Sequence, residues 1–281
     1  RQMCIRDSYF IEQKIPFEPS DVHHAINLLL HITAAILLLK NLEALKLSAA
    51  FPVALIFALH PTALQTIFWS GYREEIIGLI LILAALYFGI QNRNSRDFFI
   101  HTMICFIAFI SHPAALVIPL LLGLCIFYKN GSSSFKDYNR LLPLLCLALF
   151  IGVWTQGGST IVELEFGERL GISAQNFFFY LEQALFPFEK ALFYPYYQPN
   201  GFSAGAQNSF LPILLLIPFY ILIAMNLRKT WARGLLLGLT AYLLLIFYGI
   251  SQVGTFIDGS LALEDHLQYV ALPIIIAMFI C

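Results

Sequence analysis

Histidines, carboxylates and one arginine gather at four short corners of this chain. The first is DVHHAINLLLH, from Asp21 to His31. On a helix, spacing of four aligns His23, Asn27 and His31 on one face and leaves His24 nearer the water boundary. The second corner is FALHP, Phe57 to Pro61, followed after a mostly apolar stretch by WSGYREE, Trp69 to Glu75. The third is His112, in the run Ile110, Ser111, His112, Pro113. The fourth is LEDHLQY, Leu263 to Tyr269, where Tyr269 follows His266 by three and shares its helical face.

Each corner has a chemical and a structural reading. The guanidinium of Arg73 suits a phosphate. Glu74 and Glu75 beside it either complement a helix N-terminus, hold the arginine, or take a proton from an acceptor. Asp265 next to His266 reads as an oriented base, a metal-ligand pair, or a cap beside a neutral histidine. Asn27 and His31 serve either in interhelical hydrogen bonding or in a wet cavity, since a polar stripe at membrane depth is turned inward. His112 is a turn residue or a fourth contributor to the same face. Six of the seven histidines lie on that face or within about two turns of it, His101 being the exception.

Familiar single motifs are missing. The chain has no HExxH, no phosphate-binding glycine loop, no GxSxG and no structural-zinc spacing. Of the five cysteines, Cys105, Cys125 and Cys146 sit in apolar segments, and Cys4 and Cys281 lie near the ends. They read as small packing residues.

The elements that must position these corners are membrane spans. Hydrophobic residues make up 59% of the chain and charged residues 12%, against roughly 25% charged in soluble domains. The chain is expected to be an all-α membrane protein, a multi-span helical bundle. About nine apolar segments are predicted, over 24–39, 48–60, 74–90, 98–111, 114–128, 141–155, 209–226, 234–250 and 266–281, where a full crossing needs roughly 20 residues. Runs such as Ile76 to Ile90 do not alternate, which excludes a β-barrel.

Loops 40–47, 91–97, 129–140 and 227–233 hold ten of the sixteen Lys and Arg and are therefore predicted to be cytoplasmic. The polar corners and the long connection 156–208, with five Glu, then face outward. Residues 173–186 within it are predicted to form a helix lying on the outer leaflet. The net charge of −1 hides these opposite balances, and no basic stripe supports nucleic-acid binding.

Three stretches carry a family resemblance: HAINLLLH (His24 to His31), ALIFALHP (Ala54 to Pro61) with the later WSGYREE, and ALEDHLQYVALP (Ala262 to Pro273). In order and spacing they resemble the membrane part of polytopic GT-C glycosyltransferases, nearest to tetratricopeptide-repeat-associated transmembrane O-mannosyltransferase-like proteins and their bacterial relatives. The resemblance spans most of residues 10 to 280. It implies a GT-C fold in the bacterial inner membrane, with the active face to the periplasm or exterior. It implies a polyprenyl-phosphate-linked sugar donor and a protein hydroxyl or lipid acceptor, with membrane lipids around. Arg73, His60, His23, His24, Tyr269 and His112 become candidate substrate-binding residues, and Glu74, Asp265 and His266 candidate catalytic ones. A divalent cation is compatible with Glu74 and Asp265, and no other cofactor is called for.

In that family the catalytic acid lies in the first external loop, which here would precede the chain. Residues 1–8 (RQMCIRDS) accordingly read as a non-native segment and 9–281 as a partial GT-C-like membrane domain, expected to be inactive alone. Two departures stand out: Ser111, His112 and Pro113 replace a Ser-Lys-Glu, and Gln65 replaces a Glu. The alternative is a multi-span transporter or channel subunit, which predicts ionisable residues deep in several helices together with inverted repeats and broken helices. The sequence places only Asn27 and His31 at such depth. A structural membrane subunit, the third class, would not require polar residues to converge.

Overall fold

The computed structural model describes residues 19–91, 95–131, 138–139, 141–155, 166–187, 194–197, 211–251, 256–257, 260–263 and 265–281. Helices account for the architecture: α1 (Pro19–Ala44), α2 (Ala50–Leu59), α3 (Ala63–Phe68), α4 (Arg73–Gln91), α5 (Ser95–Ser111), α6 (Ile118–Asn130), α7 (Leu141–Thr155), α8 (Phe166–Leu185), α9 (Leu211–Met225), α10 (Thr230–Ser251) and α11 (Leu272–Ile280). Short 3-10 turns cover Ser70–Tyr72, Pro113–Val117 and Asp265–Gln268. Local chemistry sets several boundaries. His60 before Pro61 is extended and ends α2, and Gly131, at a φ of 71°, closes α6 in the left-handed conformation that glycine adopts without strain.

Among the described residues four helices are long and apolar enough to cross a membrane: Asp21–Ala44, Arg73–Gln91, Pro113–Asn130 and Thr230–Phe247. That is fewer than the nine apolar segments predicted. Ala50–Leu59, Leu141–Trp154 and Leu216–Met225 are apolar but shorter. Outward faces are apolar as well: Val153, Trp154 and Met225 are each more than three-quarters exposed (80%, 78% and 79%). Such surfaces are costly in water and suited to lipid.

Two asparagines fix how the first helices pack. Asn27 Nδ2 donates to the Ile67 carbonyl at 3.1 Å, and Asn41 Nδ2 donates to the Leu83 carbonyl at 2.9 Å. Arg73, at the start of α4, meets Asn27. Low numbers on α1 therefore meet low numbers on α4 and high meet high, so the two long helices run parallel. The chain must return between them. The ten residues of α2 rise only about 15 Å, half of a hydrocarbon core of about 30 Å. The return is completed by the turn at 60–62 and by α3. These hydrogen bonds satisfy polar groups that lipid would leave unpaired.

The predicted amphipathic stretch 173–186 is part of a longer helix, α8. Asn176, Phe177, Tyr180, Gln183 and Ala184 are buried along one face of it, the spacing of a single helical stripe. Phe177 meets Tyr242 of α10 edge-on, with ring centroids 5.8 Å apart. The main core joins α1, α2, α4, α5, α10 and α11 through Leu38, Phe57, Leu79, Phe109, Tyr242 and Ile275, with Tyr269 from the turn before α11.

Beside the helices lies a small antiparallel ribbon that the sequence reading did not foresee: β1 (Tyr194–Tyr197), β2 (Phe256–Ile257) and β3 (Ser260–Leu263), in the order β1-β3-β2. Tyr194 pairs with Leu263, and Ile257 with Ser260. Its sequence signals are short. The sequence leaves only an Asp-Gly pair between β2 and β3, a dipeptide favoured in hairpin turns, and Pro195 sits on an edge strand, where its missing N–H is tolerated. The ribbon ties the predicted long connection to the segment that leads into the fourth corner.

Candidate functional site

The same local device appears at two corners. His60 precedes Pro61 and His112 precedes Pro113, and proline pushes each histidine into extended backbone, with ψ of 128° and 130°. In that conformation each ring folds back over its own chain. Nδ1 of His60 accepts from the Thr62 N–H at 3.2 Å, and Nδ1 of His112 accepts from the Ala114 N–H at 3.2 Å. An accepting Nδ1 puts the proton on Nε2. His60 Nε2 donates to the Ala184 carbonyl at 3.0 Å, and His112 Nε2 donates to Glu75 Oε2 at 3.1 Å.

The two rings serve different ends. At His60 the acceptor belongs to the last turn of α8, where carbonyls lack helical partners. Thr62 Oγ1 donates to the adjacent Gln183 carbonyl at 3.2 Å, so the HPT corner caps α8. At His112 the acceptor is a carboxylate, and both side chains are only 2% exposed. Space for this buried pair comes from Gly78, one turn below Glu75 on α4. A Cβ on Gly78 would lie 2.6 Å from the His112 ring. Gly78→Ala is therefore expected to push His112 off Glu75 and cost about 1–3 kcal/mol, measured as unfolding free energy in detergent against a control Ala substitution on an exposed face.

A second group forms around Arg73. Its Nε donates to Asn27 Oδ1 at 2.7 Å while the other end of that amide holds Ile67. One asparagine thus orients the arginine and ties α1 to α3. Gln65, also on α3, accepts from the His266 backbone N–H through Oε1 at 3.1 Å. The His266 ring stacks on Tyr72 at 3.7 Å, and Trp69 lies 6.2 Å beyond Tyr72. This aromatic row is the more accessible edge of the group, with Trp69 exposed and Tyr72 and His266 partly buried.

A third link is deeper. His31 Nε2 donates to the Ala58 carbonyl at 3.2 Å, leaving Nδ1 to accept the Tyr269 hydroxyl at 2.7 Å.

Of the candidates, Arg73 meets Asn27, His112 meets Glu75, Tyr269 meets His31, and His266 stacks on Tyr72. His60 belongs to the cap on α8, and both of its ring nitrogens are engaged there. His24 meets Phe68 edge-on at 5.7 Å, and His23 lies partly buried one residue before it. Glu74 is partly exposed, whereas Glu75 is the buried and paired carboxylate. Asp265 opens the 3-10 turn before α11, and its side chain lies outside the described residues. Among the described residues no three His, Cys, Asp or Glu side chains gather as a metal site would require.

The structure gives Tyr72 and Gly78 roles that the sequence reading did not single out, pairs Gln65 with the His266 backbone, and for Asn27 and Glu75 shows hydrogen bonding to Arg73 and Ile67 and to His112. The duplicated His-Pro step was a visible signal for two of the contacts. Glu75 and Gly78, three apart on one helical face, were a weaker one. His101, the histidine left off the common face, donates through Nδ1 to the Ala85 carbonyl at 2.8 Å and is buried between helices. No protein-family model matches this chain, and neither a curated protein nor a solved structure matches it.

Proposed function

We propose that this chain is part of a GT-C-type membrane glycosyltransferase that moves a sugar from a polyprenyl-phosphate-linked donor to a protein hydroxyl or lipid acceptor at the external face. The observation that supports this best is Arg73. It opens a membrane-length helix, is gripped by Asn27 from another, and adjoins the row Trp69, Tyr72 and His266. In this reading the acceptor oxygen attacks the anomeric carbon, the bond to the phosphate oxygen breaks, and polyprenyl phosphate leaves. Arg73 stabilises the charge that develops on that phosphate. His266, stacked on Tyr72 in the row beside Arg73, is its partner in this reading. The acidic residue that deprotonates the acceptor, and a divalent cation if one is used, belong to the same proposal.

Polyprenyl phosphate binding tests it without requiring turnover. His266→Phe keeps a flat ring on Tyr72 and removes the imidazole nitrogens. The expected result is binding weakened by about tenfold, the effect of one lost charge-assisted hydrogen bond, with unfolding unchanged. Equal binding by wild type and His266→Phe would remove His266 from the site, and no binding by either would remove the glycosyltransferase reading.

One observation favours the alternative, a transporter or channel subunit. Buried polar side chains extend beyond the expected Asn27 and His31 to three ionisable ones, Glu75, His112 and Arg73, and a relay would use such groups. Proton-dependent solute uptake into proteoliposomes, abolished by Glu75→Gln and unaccompanied by polyprenyl phosphate binding, would establish that reading instead.

A further inference from the structure

At the end of the bundle opposite the histidine corners lies a cavity of about 600 Å³, within the range of small-molecule sites. Its walls come from five helices, through residues such as Leu42, Leu83, Leu121, Leu245 and Ile274. Its rim is different: Lys46, Tyr128 and Trp231. Around the rim, Lys229 places Nζ 5.9 Å from the Trp231 ring, and Arg233 Nη1 donates to the Tyr128 carbonyl at 3.3 Å. None of these residues takes part in the polar contacts at the other end.

We propose that this cavity is a binding site for an anionic glycerophospholipid of the bilayer, with one acyl chain inside the apolar slot and the headgroup at Lys46. The rim has the composition of an interface: aromatic rings that sit at headgroup depth, and cations that attract acidic lipid. Charge selects the occupant. Lys40 is taken by Glu43 at 3.0 Å, whereas among the described residues no carboxylate pairs with Lys46.

The backbone at Lys46 adds a second reason. Lys46 has a φ of 60°, the one positive φ outside glycine among the described residues, in the turn where Lys46 N–H reaches Glu43 O and Leu47 N–H reaches Leu42 O. Glycine is the residue that this helix-ending turn favours. A lysine there carries a backbone cost that glycine would not, and in this proposal the headgroup contact offsets it.

That geometry supplies a clean test. Lys46→Gly removes the charge while relieving the backbone, and Gly234→Leu fills the slot from α10, where a Cβ meets Tyr128 at an ordinary 3.6 Å. With Trp69→Phe and Trp154→Phe in place, Trp231 is the remaining tryptophan of the three in the chain and reports on the rim. Phosphatidylglycerol with brominated acyl chains, titrated into the whole chain in detergent, is expected to quench Trp231 saturably. Its half-quenching concentration should be about tenfold below that of brominated phosphatidylcholine. Lys46→Gly should reduce that preference by about fivefold, and Gly234→Leu should remove saturation for both lipids. Equal quenching by the two lipids in the wild-type rim would overturn the headgroup assignment. Saturable quenching that persists in a folded Gly234→Leu protein, verified by circular dichroism, would overturn the cavity assignment.

Discussion

Replacing His112 by Phe alone should destabilise the protein by about 3–5 kcal/mol, the cost of leaving one member of a buried pair without the other. The phenyl ring keeps the volume that Gly78 makes room for, so lost packing contributes little. What is lost is the Nε2 donor at 3.1 Å from Glu75 and the Nδ1 acceptor of the Ala114 N–H. The informative comparison is the double variant Glu75→Met with His112→Phe. Removing the carboxylate as well removes the stranded group, so the double variant should be more stable than His112→Phe alone. Reversible unfolding in mixed micelles measures all four corners of this cycle, with an expected coupling of about 1–3 kcal/mol. Additive effects, or a His112→Phe protein as stable as wild type, would mean that the pair is incidental to the fold.

The outcome also bears on function. A pair that only holds α4 against the turn at 112 should tolerate the double replacement without loss of polyprenyl phosphate binding. A proton relay should not tolerate it in an uptake assay. The same two proteins therefore speak to both readings.

Much of this molecule was legible in its residues, and the parts that were not have physical causes. Apolar runs gave away the helices because lipid-facing and core-facing surfaces are both hydrophobic. The same property made lengths misleading: Ala50–Leu59 is as apolar as a span and only half as long, since the chain returns through α2 and α3 together. That most of the histidines sit at or near segment ends was readable in the sequence. The partner of each ring was not. His60 meets Ala184 and His31 meets Tyr269 across separations that no local pattern encodes. Glu74 and Glu75 are chemically identical neighbours, and helical rotation alone decides that Glu75 faces His112. The ribbon was missed because its strands are two to four residues long, too short for alternation to register against an aromatic background.

Arg73 carries the second large expectation. Arg73→Lys keeps the charge at the head of α4 and removes the planar Nε donor, so Asn27 Oδ1 loses its 2.7 Å partner inside the bundle. The expected cost is about 1.5–3 kcal/mol, the range of hydrogen bonds to charged groups. Asn27→Leu should cost more, about 3–5 kcal/mol, because it removes one hydrogen bond from the buried guanidinium and another from the Ile67 carbonyl. Stability alone does not separate a structural arginine from one that binds phosphate. Asn27→Asp does: it retains an acceptor for Arg73 and gives up only the donor to Ile67. If Arg73 holds the leaving phosphate, Asn27→Asp adds a negative charge beside it and should weaken polyprenyl phosphate binding by about tenfold or more, while disturbing the fold less than Asn27→Leu. If Arg73 is structural, Asn27→Asp strengthens its grip, and lipid phosphate binding stays where it was.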